Sequence, residues 1–114
     1  MGSIDALAEL AGSLRAFNAE RDWGRFHTPK NLAMCLVVEA AELQEPFMWL
    51  TGEQSLRPEP ERLQAIREEV GDVLICLLNL CDALGIDPVT AAAEKLVRNG
   101  EKYPVEQIRG KPGK

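Results

Sequence analysis

Apolar residues recur at helical intervals along four segments of the chain. In the first, residues 3–22, they stand three and four positions apart as far as Phe17, which places them on one face of a helix. A second helix is predicted over 29–49, because Thr28 is a good cap and the proline after it suits the first turn. Residues 22–29 mix glycine, proline and aromatic side chains and indicate a structured loop.

The second half of the chain predicts two more helices. Pro46 lacks an amide hydrogen and should kink or loosen the last turn of the second helix. The polar stretch 51–60 connects that helix to a third one over 59–84, which stops at Gly85. A fourth helix is expected over 87–100.

The middle of the third predicted helix is apolar almost all the way round. Only Asn79 interrupts the run 73–81, so this part must be covered on every side. A chain of 114 residues can hardly provide that cover alone, and we expect a partner subunit in a dimer or a dimer of dimers. We expect one domain over 1–114, with a loosely ordered tail from about residue 105.

The composition is that of a globular protein, with 46% hydrophobic and 27% charged residues. Aromatic residues are scarce, so the core must consist of aliphatic side chains, which favours an all-α fold. The net charge of −5 argues against a nucleic-acid polymer or an anionic membrane as partner. Without a signal-like N-terminus or an apolar run of roughly 18 to 20 residues, a cytoplasmic location is expected.

The three cysteines predict thiols and not a disulfide framework. Cys35, Cys76 and Cys81 are odd in number, lie within apolar runs and show no CxxC spacing. Buried, reduced thiols are therefore expected at all three positions.

Two of the predicted helices each carry a pair of acids spaced i, i+3. Glu39 and Glu42 lie on the second helix, and Glu69 and Asp72 lie on the third. This spacing directs both members of a pair to the same side of a helix. Apolar residues share that side, so the acids are expected on buried faces and not on a solvated one.

Four carboxylates brought together would repel one another by roughly 3 kcal/mol per pair at about 5 Å. A cation must balance them, and oxygen ligands without histidine or cysteine suit Mg²⁺, with Mn²⁺ as a possible substitute. Glu45 and Glu68 are close in sequence and could orient the metal ligands or act as a general base. The single histidine, His27, excludes a histidine-rich metal site, and no ExxH pair is present.

These residues resemble the MazG-like family of all-α nucleotide pyrophosphohydrolases, which carries ExxE on one helix and ExxD on a later one. Here the two motifs begin at Glu39 and Glu69, and 26 residues separate Glu42 from Glu69. A longer set of matching positions is similar to the dCTP pyrophosphatase branch. That set comprises Glu20-Arg21-Asp22-Trp23, Phe26-His27, Pro29, Asn31-Leu32, Phe47, Trp49, residues 72–75, Lys95, Asn99 and Tyr103-Pro104.

The resemblance implies a four-helix bundle subunit that assembles as a homodimer or homotetramer, with nucleotide sites near the subunit contacts. It implies that the four acids hold magnesium and that a metal-activated water attacks the α-phosphorus of a (d)NTP, releasing pyrophosphate and leaving a (d)NMP. It also implies substrate contacts, which are expected at Trp23, His27, Asn31, Trp49, Lys95, Asn99 and Tyr103. The alternatives are that Trp23 and Trp49 are core or interface aromatics and that His27 forms a structural hydrogen bond in the loop. Charge alone adds Lys30, Arg98 and Lys102 as candidates.

Two departures from the branch concern the expected base pocket. Cys76 stands where the vertebrate-type enzymes carry a tyrosine near the base, and Pro46 interrupts a helical turn close to Trp49. Hydrolysis of dCTP or of related, modified dNTPs, and with it a nucleotide-pool cleansing role, follows from the resemblance. Phosphoribosyl-ATP pyrophosphohydrolase shares the fold and chemistry, but this chain lacks a strongly basic pocket signature.

The sequence also permits two hypotheses outside the enzyme class. A helical oligomeric binding module would present its acidic face to a basic partner, and a structural bundle would use the helices for assembly alone. The expected position of the four acids on buried helix faces argues against both interpretations. A binding module would expose its carboxylates, and a structural bundle would avoid burying them.

Overall fold

The computed structural model describes residues 3–112, so the outermost residues of the expected 1–114 domain lie outside the described part. The structure is 79% helical, and no strand occurs within residues 3–112, which confirms the all-α prediction. The α-helices are α1 (Ser3–Glu20), α2 (Pro29–Gln44), α3 (Gly52–Ser55), α4 (Pro60–Leu84), α5 (Pro88–Lys102) and α6 (Val105–Ile108).

Side-chain caps and a glycine define the helix ends as the sequence predicts. The Thr28 hydroxyl accepts a hydrogen bond from the backbone N–H of Asn31 at 3.3 Å, at the start of α2. The Asp87 carboxylate accepts one from the backbone N–H of Val89, also at 3.3 Å, at the start of α5. Gly85 follows α4 with φ of +67°, a left-handed conformation that glycine adopts without a steric penalty.

The second predicted helix ends five residues early, at Gln44 and not at Trp49. A 3-10 turn, Glu45–Phe47, follows it with Pro46 in its first turn, so the expected kink takes the form of a change in helix type. The polar connection contains the short helix α3, which Thr51 opens with a capping box.

Smaller differences occur at the other helix ends. The first helix stops at Glu20, two residues before the predicted end, and the fourth continues to Lys102. The short helix α6 lies where the sequence predicts a loose tail.

The packing centres on α2 and α4, and α1 lies against α4. Among the described residues, the buried side chains are Leu32 on α2 and Cys76, Leu78 and Cys81 on α4. An ion pair between Arg15 and Asp82, at 2.9 Å, and a hydrogen bond between the Asn18 and Asn79 amides, at 3.1 Å, attach α1 to the C-terminal part of α4.

The helix α5 is not packed extensively on any other element of the described chain. It leaves α4 at an angle of 96°, and Leu96 on it is 71% exposed. The radius of gyration is 17.2 Å, against about 13 to 14 Å for a compact domain of this length. Much of the apolar surface is therefore uncovered in the single chain, and the partner subunit stays a prediction.

No single helix within residues 3–112 has both the length and the apolar content needed to span a membrane. The bent pair formed by α4 and α5 meets the criteria for a membrane span, but by length and composition only.

Candidate functional site

The carboxylates of the two predicted acid pairs converge where α2 packs on α4. Single oxygen atoms of Glu39, Glu69 and Asp72 all lie within 4.8 Å of one another. The fourth acid, Glu42, adjoins them, and its negative charge raises the pKa of both Glu39 and Glu69. We call these four residues the acid cluster; the structure thus brings together both pairs from separate helices.

Burial within the acid cluster is uneven. Glu39, Glu42 and Glu69 are half-buried, as the apolar phase of the helices predicts, whereas Asp72 is exposed in the single chain. The expectation that all four acids lie on buried faces is therefore wrong for Asp72. The Oε2 atom of Glu69 is fully buried and has no hydrogen-bond partner within residues 3–112.

The electrostatics of the acid cluster disfavour its charged form. Partial burial is the largest cause that raises the pKa of Glu39, followed by the charge of Glu42 and then those of Asp72 and Glu69. Burial likewise raises the pKa of Glu69, followed by the charges of Glu42 and Asp72. None of the ion pairs found in residues 3–112 involves the acid cluster. Negative charge is thus gathered at this point without an ion-pair partner among the described residues.

The acid cluster fits a hard divalent cation. Its donors are carboxylate oxygens only, which is the ligand type that Mg²⁺ and Mn²⁺ prefer. A buried carboxylate oxygen without a partner is costly, and a cation would satisfy the orphaned atom of Glu69.

The two acids considered as helpers of the acid cluster lie in different surroundings. Glu45 lines the same cavity as Glu42 and Glu69, and its charge contributes to the raised pKa of Glu69. Glu68 is exposed and accepts a hydrogen bond from the Gln64 amide at 3.2 Å. The structure therefore places Glu45, and not Glu68, next to the converging carboxylates.

A polar cavity of about 500 Å³ opens on the side of the acid cluster towards the start of α4. Sequence reasoning missed Arg62, which lines it and whose guanidinium donates to the Pro46 carbonyl. Arg62 stands seven residues before Glu69, a spacing that returns to the same face of a helix and could have identified it. The complete lining is Glu42, Glu45, Pro46, Glu59, Glu61, Arg62, Ala65 and Glu69.

A mainly apolar cavity of about 380 Å³ lies on the opposite side of the acid cluster, between α1, α2 and α4. Trp23 and His27 from the predicted loop line it, with their rings 6.3 Å apart, and Phe17 meets Trp23 edge to face at 5.7 Å. We call it the aromatic cavity. Its other lining residues are Ser13, Leu14, Asn18, Leu32, Cys35, Ile75, Cys76 and Asn79.

Sequence reasoning missed the two amides of the aromatic cavity, Asn18 and Asn79. Their mutual hydrogen bond is half-buried and stands among otherwise apolar walls. The interruption of the apolar run by Asn79 was the signal available for one of them. Asn18 offered none, because it lies on a helix whose pairing with α4 is a tertiary feature.

Two cysteines in the wall of the aromatic cavity lie one helical turn from the acid cluster. Cys35 precedes Glu39 by four residues, and Cys76 follows Asp72 by four. Burial, followed by the neighbouring Cys35 thiol and the charges of the nearby acids, raises the pKa of Cys76 to about 12. Cys76 and Cys81 are buried as expected, but the buried-thiol prediction is wrong for Cys35, which is exposed.

The remaining predicted contact residues do not join the acid cluster within one chain. The Asn31 amide donates to the Phe26 carbonyl at 3.0 Å and so holds the preceding turn, and Lys30 next to it is exposed. Trp49 is 88% exposed after the 3-10 turn. A further group, carried by α5 and the residue after it, stands apart from α2 and α4. That group consists of Lys95, Arg98, Asn99, Lys102 and Tyr103.

The amino-acid sequence matches a protein family and several named relatives. Residues 35–111 match the MazG-like family. The chain is 43% identical over 98 residues to dCTP pyrophosphatase 1 of Rattus norvegicus, a match that covers 82% of this chain and 56% of the rat protein. It is 41% identical over 95 residues to dCTP pyrophosphatase 1 of Homo sapiens, with the same two shares. The chain thus spans about half the length of these relatives.

A solved structure agrees with the sequence matches. The crystal structure of a pyrophosphatase from Archaeoglobus fulgidus DSM 4304 superposes with a TM-score of 0.82 at 41% sequence identity. The superposition covers 87% of this chain and 93% of that one. Fold, sequence and paired acidic motifs agree, and the chain belongs to the MazG-like family.

Proposed function

We propose that the protein hydrolyses nucleoside triphosphates between the α- and β-phosphates and releases a nucleoside monophosphate and pyrophosphate. The observation that carries this proposal is the convergence of four carboxylates from two helices beside an apolar, aromatic-lined cavity. Carboxylates alone would repel a triphosphate, so the arrangement makes chemical sense only when a cation lies between them. The named relatives, which are pyrophosphatases, support the same reaction class.

Glu39, Glu42, Glu69 and Asp72 are the residues that would hold Mg²⁺ in this proposal, with Mn²⁺ as a possible substitute. The bound cation would supply positive charge that screens the phosphates and lowers the pKa of water. The pKa values of Glu39 and Glu69 are raised because burial and neighbouring negative charges disfavour their charged forms. A bound cation would stabilise those charged forms.

The order of groups along α4 gives the substrate a direction. The aromatic cavity lies at residues 75–79, the two acids lie at 69–72, and Arg62 lies about 10 Å further down the helix from Glu69. The base would enter the aromatic cavity, where Trp23 would pack on it and exclude water. The phosphates would cross the acid cluster, and Arg62 would meet the pyrophosphate end.

Glu45 is the residue that we propose as the proton acceptor for the attacking water. Its carboxylate lies beside Glu69, and its exposure lets it pass the proton on to solvent. Glu68, the other candidate from the sequence, already accepts a hydrogen bond from Gln64.

We propose a homodimer or a dimer of dimers as the active assembly. Leu96 on α5 and Trp49 are largely exposed, and no element of the described residues packs extensively on α5. Lys95, Asn99 and Tyr103 could reach a nucleotide if α5 packed against a second subunit, which would reconcile their predicted role with their distance from the acid cluster. The preferred substrate proposed is dCTP or a related, modified dNTP, cleared from the nucleotide pool in the cytoplasm.

The test is pyrophosphate release from a panel of unmodified and modified dNTPs and NTPs, measured with Mg²⁺, with Mn²⁺ and with chelator. Wild type is compared with Glu39→Gln and Asp72→Asn, which keep side-chain volume and remove charge. Each substitution is expected to lower kcat/KM by about 100-fold or more while circular dichroism stays that of a helical protein. Turnover should require the divalent cation.

A matched control is Glu9→Gln, the same chemical change on the exposed surface of α1. Its kcat/KM should equal that of wild type. If no triphosphate in the panel yields pyrophosphate, or if both acid-cluster variants keep full activity, the proposed reaction is refuted.

A further inference from the structure

A pair of thiols lies at the contact between α2 and α4, in the wall of the aromatic cavity and one helical turn from the acid cluster. The Sγ atoms of Cys35 and Cys76 are 2.8 Å apart, and both residues are free cysteines. A disulfide joins sulfur atoms at about 2.05 Å, so a closing movement of about 0.8 Å would bring these two to bonding distance. The third cysteine, Cys81, is buried five residues further along α4.

The two thiols of this pair differ in their access to reagents. Cys35 is exposed and lines the aromatic cavity, which gives a small oxidant a route to this residue. Cys76 is buried, and burial raises its pKa to about 12, which keeps it protonated near neutral pH. Oxidation therefore starts at Cys35, and Cys76 stands next to it as the resolving thiol.

We propose that Cys35 and Cys76 form an oxidisable pair, which a peroxide converts into a disulfide that cross-links α2 to α4. The Cys35 thiolate attacks one peroxide oxygen, an S–O bond forms, the O–O bond breaks and water leaves with the thiol proton. Cys76 sulfur then attacks the sulfenic sulfur of Cys35, the S–S bond forms, the S–O bond breaks, and hydroxide takes the Cys76 proton to leave as water. The two thiols lose two electrons in total, and the peroxide gains them.

The position of this cross-link gives it a consequence for the acid cluster. It lies one helical turn from Glu39 on α2 and one turn from Asp72 on α4, so it fixes the spacing of the two helices that carry the acids. It also closes a loop of about forty residues in the unfolded chain, which stabilises the folded state. A small thiol such as glutathione reverses the reaction by thiol–disulfide exchange.

The experiment treats the reduced full chain with hydrogen peroxide and counts free thiols under denaturing conditions. We expect the count to fall from three to one, with a mass loss of two hydrogen atoms. A protease digest without reductant should contain one linked peptide pair that joins Cys35 to Cys76. The Tm of the oxidised protein should rise by roughly 10 °C and return after reduction.

Three variants complete the design. Cys81→Ser should form the cross-link as wild type does, whereas Cys35→Ser and Cys76→Ser should form none. Three remaining thiols in peroxide-treated wild type, a link that involves Cys81, or a linked protein whose Tm is unchanged would overturn the proposal. None of these measurements depends on hydrolase activity, so the inference and the proposed function fail separately.

Discussion

A carboxylate oxygen of Glu39 on α2 lies within 4.8 Å of one from Asp72 on α4. The two acids belong to different helices, and no cationic side chain in the described part of the chain pairs with either of them. Their proximity exists only because α2 packs along α4.

The metal-free protein should lose stability as the pH rises. The pKa values of Glu39 and Glu69 are raised in the folded state from an ordinary value of 4.5, so the folded chain keeps protons that the unfolded chain releases. The contribution of these two groups to the free energy of unfolding is therefore most favourable below about pH 4.5. It is lost as the pH rises through their raised pKa values. Urea unfolding at several pH values in chelator measures this.

Magnesium should counter that loss at neutral pH. A ligand that binds only the folded state at 100 times its Kd adds about 2.7 kcal/mol to the free energy of unfolding. The double variant Glu39→Gln/Glu69→Gln serves as the control, because it should lose both the pH slope of these groups and most of the response to Mg²⁺. An equal slope in the double variant would show that other groups cause it.

The two candidate helper acids should respond differently to the same substitution. Glu45→Gln is expected to lower kcat by about 100-fold with little change in KM, because proton acceptance matters in the transition state. Glu68→Gln should stay within about twofold of wild type. Steady-state kinetics at saturating Mg²⁺ measure both, and equal losses in the two variants would contradict the assignment to Glu45.

The amide pair of the aromatic cavity should influence which base is accepted. The Asn18 amide donates to Asn79 and leaves further donors and acceptors free beside the apolar walls. Asn79→Leu should therefore change the ratio of kcat/KM between two bases by about tenfold, since a lost hydrogen bond to a base is worth roughly 1 to 2 kcal/mol. A panel of four dNTPs measures the ratio, and proportional losses on all bases would exclude base selection by Asn79.

The left-handed residue after α4 should be sensitive to a methyl group for conformational reasons alone. Gly85 has φ of +67° and open space around its missing Cβ, so Gly85→Ala should destabilise by about 1 kcal/mol through backbone strain. Gly100 lies within α5 and also has open space, but its conformation is helical. Gly100→Ala should stabilise by about 0.5 to 1 kcal/mol, and chemical denaturation compares the two.

The sequence by itself determined the local features of this protein. Helix periodicity, the cap at Thr28 and the glycine at Gly85 depend on near neighbours in the chain, so they could be predicted without a structure. The i, i+3 spacing of the acids placed each pair on one helix face for the same reason. Family membership rests on these motifs as well.

Only the tertiary structure decided how separate helices meet. The packing of α2 on α4 brings both acid pairs into one cluster, sets Cys35 against Cys76 and encloses the aromatic cavity with α1. Exposure of Asp72 and Cys35 could not be read from periodicity, because a residue beside the apolar stripe is buried only if another element covers it. Side chains distant in sequence acquire neighbours through packing, and packing is a property of the whole fold.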